Sequence, residues 1–398
     1  MTNPKLALIP SGYKTATVYS ILPNNTDGDF TYERNGSATR VRKDGLIEEL
    51  TVDDTPRLDW LNSDCPSLLL EPQRTNLQAY SENFSGAAWT PSSSTITSNS
   101  SISPNGELNA TKLETTSTVG LLGGFLTITA NTEYTYSLFV KSDATSVCKI
   151  DLYDTISSSR YFYGTVIFDM ATETISTSLA TASFDKLDGG WYRLKMTATS
   201  PNPLLGSTGV QISLTQAGSI FIWGAQMEAG GYATSYIKNV DDINGVTRLK
   251  DECFNGGDAD LFDITEGTFF VDSYVYNSGN FTTISLSDGS VSNRLILIFQ
   301  NYGTQVRVFS SGGVDSFLYL TFDQRNKIAV TFKENEYKFF INGALVGSDT
   351  IATVPSGIDR LNFSNNTNAA SHFEGKVYDT RVYDRVLTEA EAIELTTL

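Results

Sequence analysis

The chain has 398 residues, 45 acidic against 28 basic side chains, a formal net charge of −17, and only 18% charged residues. Its length exceeds one core and predicts two or three domains, and its wealth of Thr, Ser, Asn, Gly, Tyr and Phe favours strands and turns over helices. The acidity disfavours nucleic acid and anionic membranes as partners, no apolar run approaches the roughly 20 residues of a membrane span, and no glycine-rich nucleotide motif follows a strand.

Residues 1–78 form the first unit. "MTNPKLALIPSGYK" has a short apolar stretch broken by Pro10 and no cleavage pattern behind it. Cys65, Cys148 and Cys253 are odd in number and far apart, which argues against a disulfide framework or a zinc site and for a reducing cytoplasm. In "TRVRKDGLIEEL", Asp44–Gly45 is the dipeptide of a two-residue hairpin turn. Pro56, Pro66 and Pro72 then cut the chain into short extended pieces. A segment so short and so punctuated must pack against a neighbour.

Residues 79–239 form the second unit. "NTEYTYSLFVKS" puts Tyr134, Tyr136, Leu138 and Val140 on one face and Thr135, Ser137 and Lys141 on the other. "GGWYRLKMTAT" sets Tyr192, Leu194 and Met196 opposite Trp191, Arg193 and Lys195. Such strands, separated by Ser/Thr/Asn/Gly stretches, predict an antiparallel sandwich. "IFIWGAQMEAGGYATSYIKN", residues 220–239, ends the unit: a buried strand halted at Gly224, then a small-residue walk to Tyr236. It reads as a closing seam filled by Phe221 and Trp223, with the wall of a binding site as the alternative.

Residues 240–398 form the third. Asn342–Gly343 in "NEYKFFINGALVGS" predicts a tight hairpin, "KENEYK" another turn, and Gly303 a turn between two further strands. Only "LTEAEAIELTTL" reads as a helix, with Thr388 and Glu391 at capping-box spacing. No heptads appear, so a coiled-coil stalk is not expected. The fold class is therefore all-β: an extended and hairpin N-terminal segment, a jelly-roll sandwich, and a second sandwich ending in a short helix.

Three stretches resemble modular virion proteins of tailed bacteriophages, of the tail-fibre, receptor-binding or capsid-appendage type. "GDFTYERNGSATRVRKDGLIEEL…PRLDW…CPSLLLEPQRTNL…YSENF", residues 28–84, is similar to a leader in such proteins. "FIWGAQMEAGGYATSYIKN" resembles the end of a carbohydrate-binding-module-like jelly roll. "FFINGALVGS…LNFSNN…FEGKVYDTRVYDRVLTEAEAIEL" resembles the end of a laminin-G or concanavalin-like lectin sandwich. The resemblance implies an N-terminal docking segment, attachment to other virion proteins and to host surface glycans, assembly as a homotrimer, and a place in the virion after synthesis in the host cytoplasm.

Catalytic chemistry has little footing in the residues. His372 is the one histidine and has no acid or cysteine at helical spacing, and no G-x-S-x-G elbow supports a triad. A glycosidase needs two facing carboxyls, and the paired-acid strand motif of concanavalin-like hydrolases is absent. The reading is non-enzymatic, with a purely structural decoration protein and a polysaccharide depolymerase as rivals. For sugar binding, Trp191 is a candidate platform because it lies opposite the core face, with packing beside Arg193 and Lys195 as the alternative. Asn301, Tyr302, Asn365 and Asn366 fall in loops where a lectin site is built, or serve as turn formers. No cofactor is required. Asp241, Asp242, Asp258 and Asp260 could supply oxygens to calcium, although composition favours a solvated linker.

Overall fold

The computed structural model describes residues 3–398 apart from 117–119, 125, 157–158, 263–264, 277–280, 301–302, 322 and 366–370. The fold is all-β, with two short helices among the described residues, Ala259–Phe262 and Glu389–Thr396. Neither is long or apolar enough to cross a membrane.

The jelly roll pairs two six-stranded antiparallel sheets. One runs, in spatial order, Ser94–Ile102, Leu108–Thr115, Gly218–Ala229, Glu133–Ser142, Trp191–Thr199 and Thr181–Lys186. The other runs Trp89–Pro91, Leu121–Gly124, Thr208–Ser213, Val147–Ile156, Ser159–Asp169 and Thr174–Ser178. Strand alternation sorts the side chains as the sequence predicts: Tyr134, Tyr136, Leu138, Val140, Tyr192, Leu194 and Met196 all lie in the core between the sheets. The strand does not stop at Gly224 but continues to Ala229. Ser137 faces Gln226 and Phe139 faces Trp223, so Gly224 and Ala225 together oppose Leu138 in a β-bulge. Gly224 has φ +62°, and a Cβ there would meet the Phe139 ring at 2.8 Å. Glycine is required at that point.

The C-terminal sandwich stacks an eight-stranded sheet on a five-stranded one. The central Glu266–Val275 pairs with Asn326–Lys333 on one side and Gly375–Tyr383 on the other. Asn342 and Gly343, at φ +47° and +82°, make the tight turn between Glu336–Ile341 and Ala344–Asp349. Thr388 and Glu391 form the expected capping box. Leu387, Ala392 and Leu395 then dock the terminal helix on Phe270, Phe340 and Tyr383.

The N-terminal segment packs within the same chain. Leu6–Leu8 pairs with residues 380–382, and Ser67–Leu70 pairs with residues 375–377, so both extend the eight-stranded sheet along a single strand. Leu6, Leu8, Phe30, Leu58, Leu68 and Leu70 share the core of the C-terminal sandwich. The hairpin Ala38–Val41/Ile47–Leu50 forms, but its turn is longer than two residues. Arg42 N–H donates to the Leu46 carbonyl, and only Gly45, at φ +77°, is left-handed. Asp44 instead takes the Arg42 guanidinium and the Leu46 N–H on its carboxylate, which stabilises the wider loop.

Candidate functional site: a cleft where three segments meet

The outward face of the jelly-roll sheet is polar and does not face open solvent. Register aligns Thr135 with Thr197, Ser137 with Lys195 and Phe139 with Arg193, while Asp185 faces Arg193 on the edge strand. The N-terminal hairpin and the C-terminal sandwich approach this face and enclose a cleft of about 710 Å³. Its walls come from all three segments: Thr39, Asp59 and Glu71 from the first, Ser183, Asp185 and Lys195 from the jelly roll, Tyr274, Lys376 and Tyr378 from the last. Residues 231–236 form a further wall.

Half-buried tyrosines dominate the apolar part. Tyr232 and Tyr276 stack with centroids 4.8 Å apart and planes at 16°, and Tyr274 stands edge-on to Tyr276 at 5.8 Å. Arg74 backs the Tyr232 ring at 5.2 Å and Arg325 backs Tyr378 at 4.2 Å. The Tyr232 hydroxyl donates to Glu374 Oε2 at 2.9 Å and the Tyr274 hydroxyl to Asp323, which fixes both rings. Burial raises the pKa of Tyr232, Tyr274 and Tyr276, so all three stay neutral phenols.

The charged groups of the cleft are paired with one another. Lys195 Nζ lies 2.9 Å from Asp185 Oδ1, and Lys376 Nζ lies 2.7 Å from Asp59 Oδ2. Asp59 also accepts the Val41 N–H at 2.8 Å and the Leu61 N–H at 3.3 Å. Burial opposes ionisation of Asp185, but the Lys195 ammonium and its hydrogen bond, with Arg193 and Lys376 beyond, hold its carboxyl below the usual range. Burial likewise acts against the Lys376 ammonium, and Asp59 more than offsets it, leaving the pKa raised.

Behind the cleft sits a buried ion network that no linear motif signals. Arg57 binds Glu71 at 2.6 Å and also Asp251, Arg248 binds Glu71, and Arg34 reaches Asp251 at 3.4 Å. These five side chains are at most 2% exposed. Burial alone would raise the Glu71 carboxyl, but the Arg248 and Arg57 guanidiniums hold it well below the carboxylate range. Glu71 also accepts the Ser235 N–H and hydroxyl, both at 2.7 Å, and so ties the closing loop of the jelly roll to the N-terminal segment. Proline-cut extended pieces hid this arrangement, because its partners lie up to 217 residues apart.

Residues 220–239 close the seam and also reach the cleft. Trp223 and Tyr236 are buried with Phe139, at ring distances of 4.7 to 5.9 Å, but on the face away from the jelly-roll core. The core places on this strand go to Ile220 and Ile222, and Phe221 is only half-buried beside the three rings. Residues 231–236 also line the cleft.

Trp191 is not an exposed platform. It is 2% exposed, donates its indole N–H to the Ile102 carbonyl at 3.1 Å, and packs with Ile47, Ala110 and Phe139. It does point away from the jelly-roll core, as alternation requires, but the N-terminal hairpin covers it. The four aspartates do not gather into a metal site either. Asp258 Oδ1 accepts the N–H groups of Asp260 and Leu261 at 3.0 and 3.1 Å at the start of the short helix, and Asp242 Oδ1 accepts the Asn244 N–H at 2.8 Å. Asp241 and Asp260 are exposed beside them, and no group of three or more His, Cys, Asp or Glu side chains among the described residues could hold a metal ion. Asn365 is half-buried, with its side-chain oxygen taken by Arg294. Asn301, Tyr302 and Asn366 lie outside the described residues. His372 lies within 2.8 Å of Lys250 and 3.3 Å of Glu252, away from the cleft walls.

One comparison with known proteins falls on the C-terminal sandwich. Residues 263–392 match the laminin-G family model described as the concanavalin A-like lectin/glucanases superfamily, a stretch shorter than half the chain. No curated protein matches the sequence. Among solved structures, the CBM40 module of a Ruminococcus gnavus sialidase bound to α2,3-sialyllactose is similar at 19% identity and TM-score 0.30, over 35% of this chain and 86% of that one. Domain 4 of a Geobacillus stearothermophilus arabinanase, in complex with arabinotriose, is similar at 15% identity and TM-score 0.32, over 42% and 82%. A pentraxin from Limulus polyphemus is similar at 9% identity and TM-score 0.26, over 33% and 69%. Likeness at this level bears on neither ligand nor activity. The two-sheet sandwich built by the C-terminal region agrees with the concanavalin-like fold of the family model that residues 263–392 match.

Proposed function

We propose that this chain is a non-enzymatic bacteriophage virion appendage that attaches to host-surface glycans, assembled as a homotrimer and joined to other virion proteins. The virion setting and the trimer rest on the resemblance of residues 28–84 and of the two sandwiches to such proteins. Glycan binding rests on the cleft: fixed tyrosine rings beside hydroxyls, carboxylates and ammonium groups suit the apolar faces and polar rims of pyranoses. The lectin-type match of residues 263–392 supports the same reading.

Acids on the cleft walls make a depolymerase the rival to weigh. Glycoside hydrolysis needs one carboxyl kept protonated as the general acid. Asp185 is instead held ionised by Lys195, and Asp59 is 3% exposed and fully engaged by three donors. These two acids favour the reading in which the cleft binds without cleaving, and that reading requires no cofactor.

The test is to apply the intact chain to a glycan array and to host-type bacterial cells, then incubate it with purified surface polysaccharide. Retention on glycan and cells with no new reducing ends or unsaturated products is the expected result. New chain ends would establish the depolymerase, and retention on neither surface would leave a structural decoration protein.

A further inference from the structure

We infer that the cleft takes an uncharged saccharide, held against its tyrosines by stacking and hydroxyl contacts and touching all three segments of the chain at once. This rests on the glycan-binding reading above and adds the chemical class of the ligand and its place.

The inference follows from how the charges of the cleft are spent. Four basic and four acidic side chains line it, so the walls are balanced although the whole chain carries −17. Each is engaged within the protein, although Arg40 Nη1 and Arg193 Nε are buried without a hydrogen-bond partner of their own. Lys195 holds Asp185, Lys376 holds Asp59, and Arg40 holds Glu48 at 2.9 Å. Glu71 belongs to the buried arginine network, Asp323 takes the Tyr274 hydroxyl, and Arg193 is 7% exposed, seated on the Phe139 ring at 5.2 Å with Nη2 on the Ser137 hydroxyl at 3.0 Å.

An anionic sugar would have to break one of these pairs and strand its carboxylate, and it would approach against the field of an acidic protein. A neutral sugar meets no such cost. The half-buried Lys195–Asp185 pair keeps spare lone pairs and N–H donors at its edge, which are what sugar hydroxyls need. Exposed Thr181 and Ser183 add two hydroxyls at the rim. The volume, about 710 Å³, lies within the usual range of small-molecule sites, roughly 300–1,000 Å³.

The experiment uses the intact chain and two panels of oligosaccharides: neutral gluco-, galacto- and manno-oligosaccharides, and uronate- or sialate-bearing ones. Titration calorimetry is run at low and high NaCl on the wild type, Ser183→Trp and Tyr276→Ala. Ser183 is exposed at the rim, so a tryptophan there fills the mouth without disturbing the core.

Binding by the neutral panel is expected, with Kd changing less than about 2-fold across the salt range, because no exposed ion pair forms with the ligand. Both variants should weaken it by about 10-fold or more, with Ser183→Trp keeping the wild-type Tm. Binding confined to acidic sugars, or weakened more than about 10-fold by salt, overturns the ligand class. Neutral binding that survives both substitutions overturns the location. Failure of both panels to bind overturns the glycan-binding reading itself, a result separate from either of these.

Discussion

Glu71 concentrates the energetics of the junction in one carboxylate. It is buried, bound by Arg57 and Arg248, and bonded twice by Ser235. Glu71→Gln would leave two buried guanidiniums short of a counter-charge and should cost about 3–5 kcal/mol, read as a drop in the denaturant midpoint. The pH dependence follows from its depressed pKa. An acid whose folded pKa lies below its unfolded one contributes stability that is complete above the unfolded value and is lost as pH falls toward the folded value. Tm should therefore hold steady from pH 7 to about pH 5 and fall below that, with a shallower fall in the Glu71→Gln chain. An identical acid slope in both chains would remove Glu71 from the account. Trp191 gives the companion prediction. Trp191→Ala should cost about 3–5 kcal/mol through the lost packing with Phe139 and Ile47. Glycan affinity should stay unchanged in protein that remains folded.

Among the elements, those governed by local rules were legible in the sequence. Thr388 and Glu391 share one turn of helix, and Asn342–Gly343 needs only its own backbone angles to define a hairpin. Thr388→Ala should accordingly cost about 1 kcal/mol, measurable as a small drop in the unfolding midpoint. Alternation on Glu133–Ser142 and Trp191–Thr199 told which side chains face the jelly-roll core. It could not tell what lies over the other face, because burial of Trp191 depends on a hairpin about 150 residues earlier. Gly224 shows the same limit. A glycine after four apolar residues reads as a stop, whereas here it supplies the bulge that bends a continuing strand around Phe139. The aspartates of the linker left calcium open beside the favoured solvated linker for a related reason. Asp and Asn that close turns and cap helices have the same composition as a loop that binds calcium, and only the positions of the oxygens separate the two. Beyond the alternative weighed for residues 220–239, the cleft had no contiguous signal: its tyrosines belong to strands and loops of separate units, and each alone reads as an ordinary aromatic.

For the molecule as a whole, the two sandwiches differ in their dependence on the N-terminal segment. The jelly-roll core is built from residues between Phe84 and Met227. A fragment of residues 79–239 should fold by itself, while exposing Trp191, Trp223 and Tyr236 and tending to self-associate. A fragment of residues 240–398 should not, since it lacks the strands of residues 6–8 and 67–70 and the core leucines they bring. Circular dichroism and limited proteolysis of the two fragments check this, and a protease-resistant C-terminal fragment would count against it.

The pairing of Leu6–Leu8 with residues 380–382 also bears on the order of events at the ribosome. The strand of residues 6–8 bridges locally to Leu22, but its ladder partner arrives only once residues 380–382 are made. The jelly roll can form while that ladder is still open. Closure across so long a loop is slow. That apolar strand, still short of its long-range ladder, is where a chaperone would be needed during synthesis, and where crowding of nascent chains would turn into aggregation.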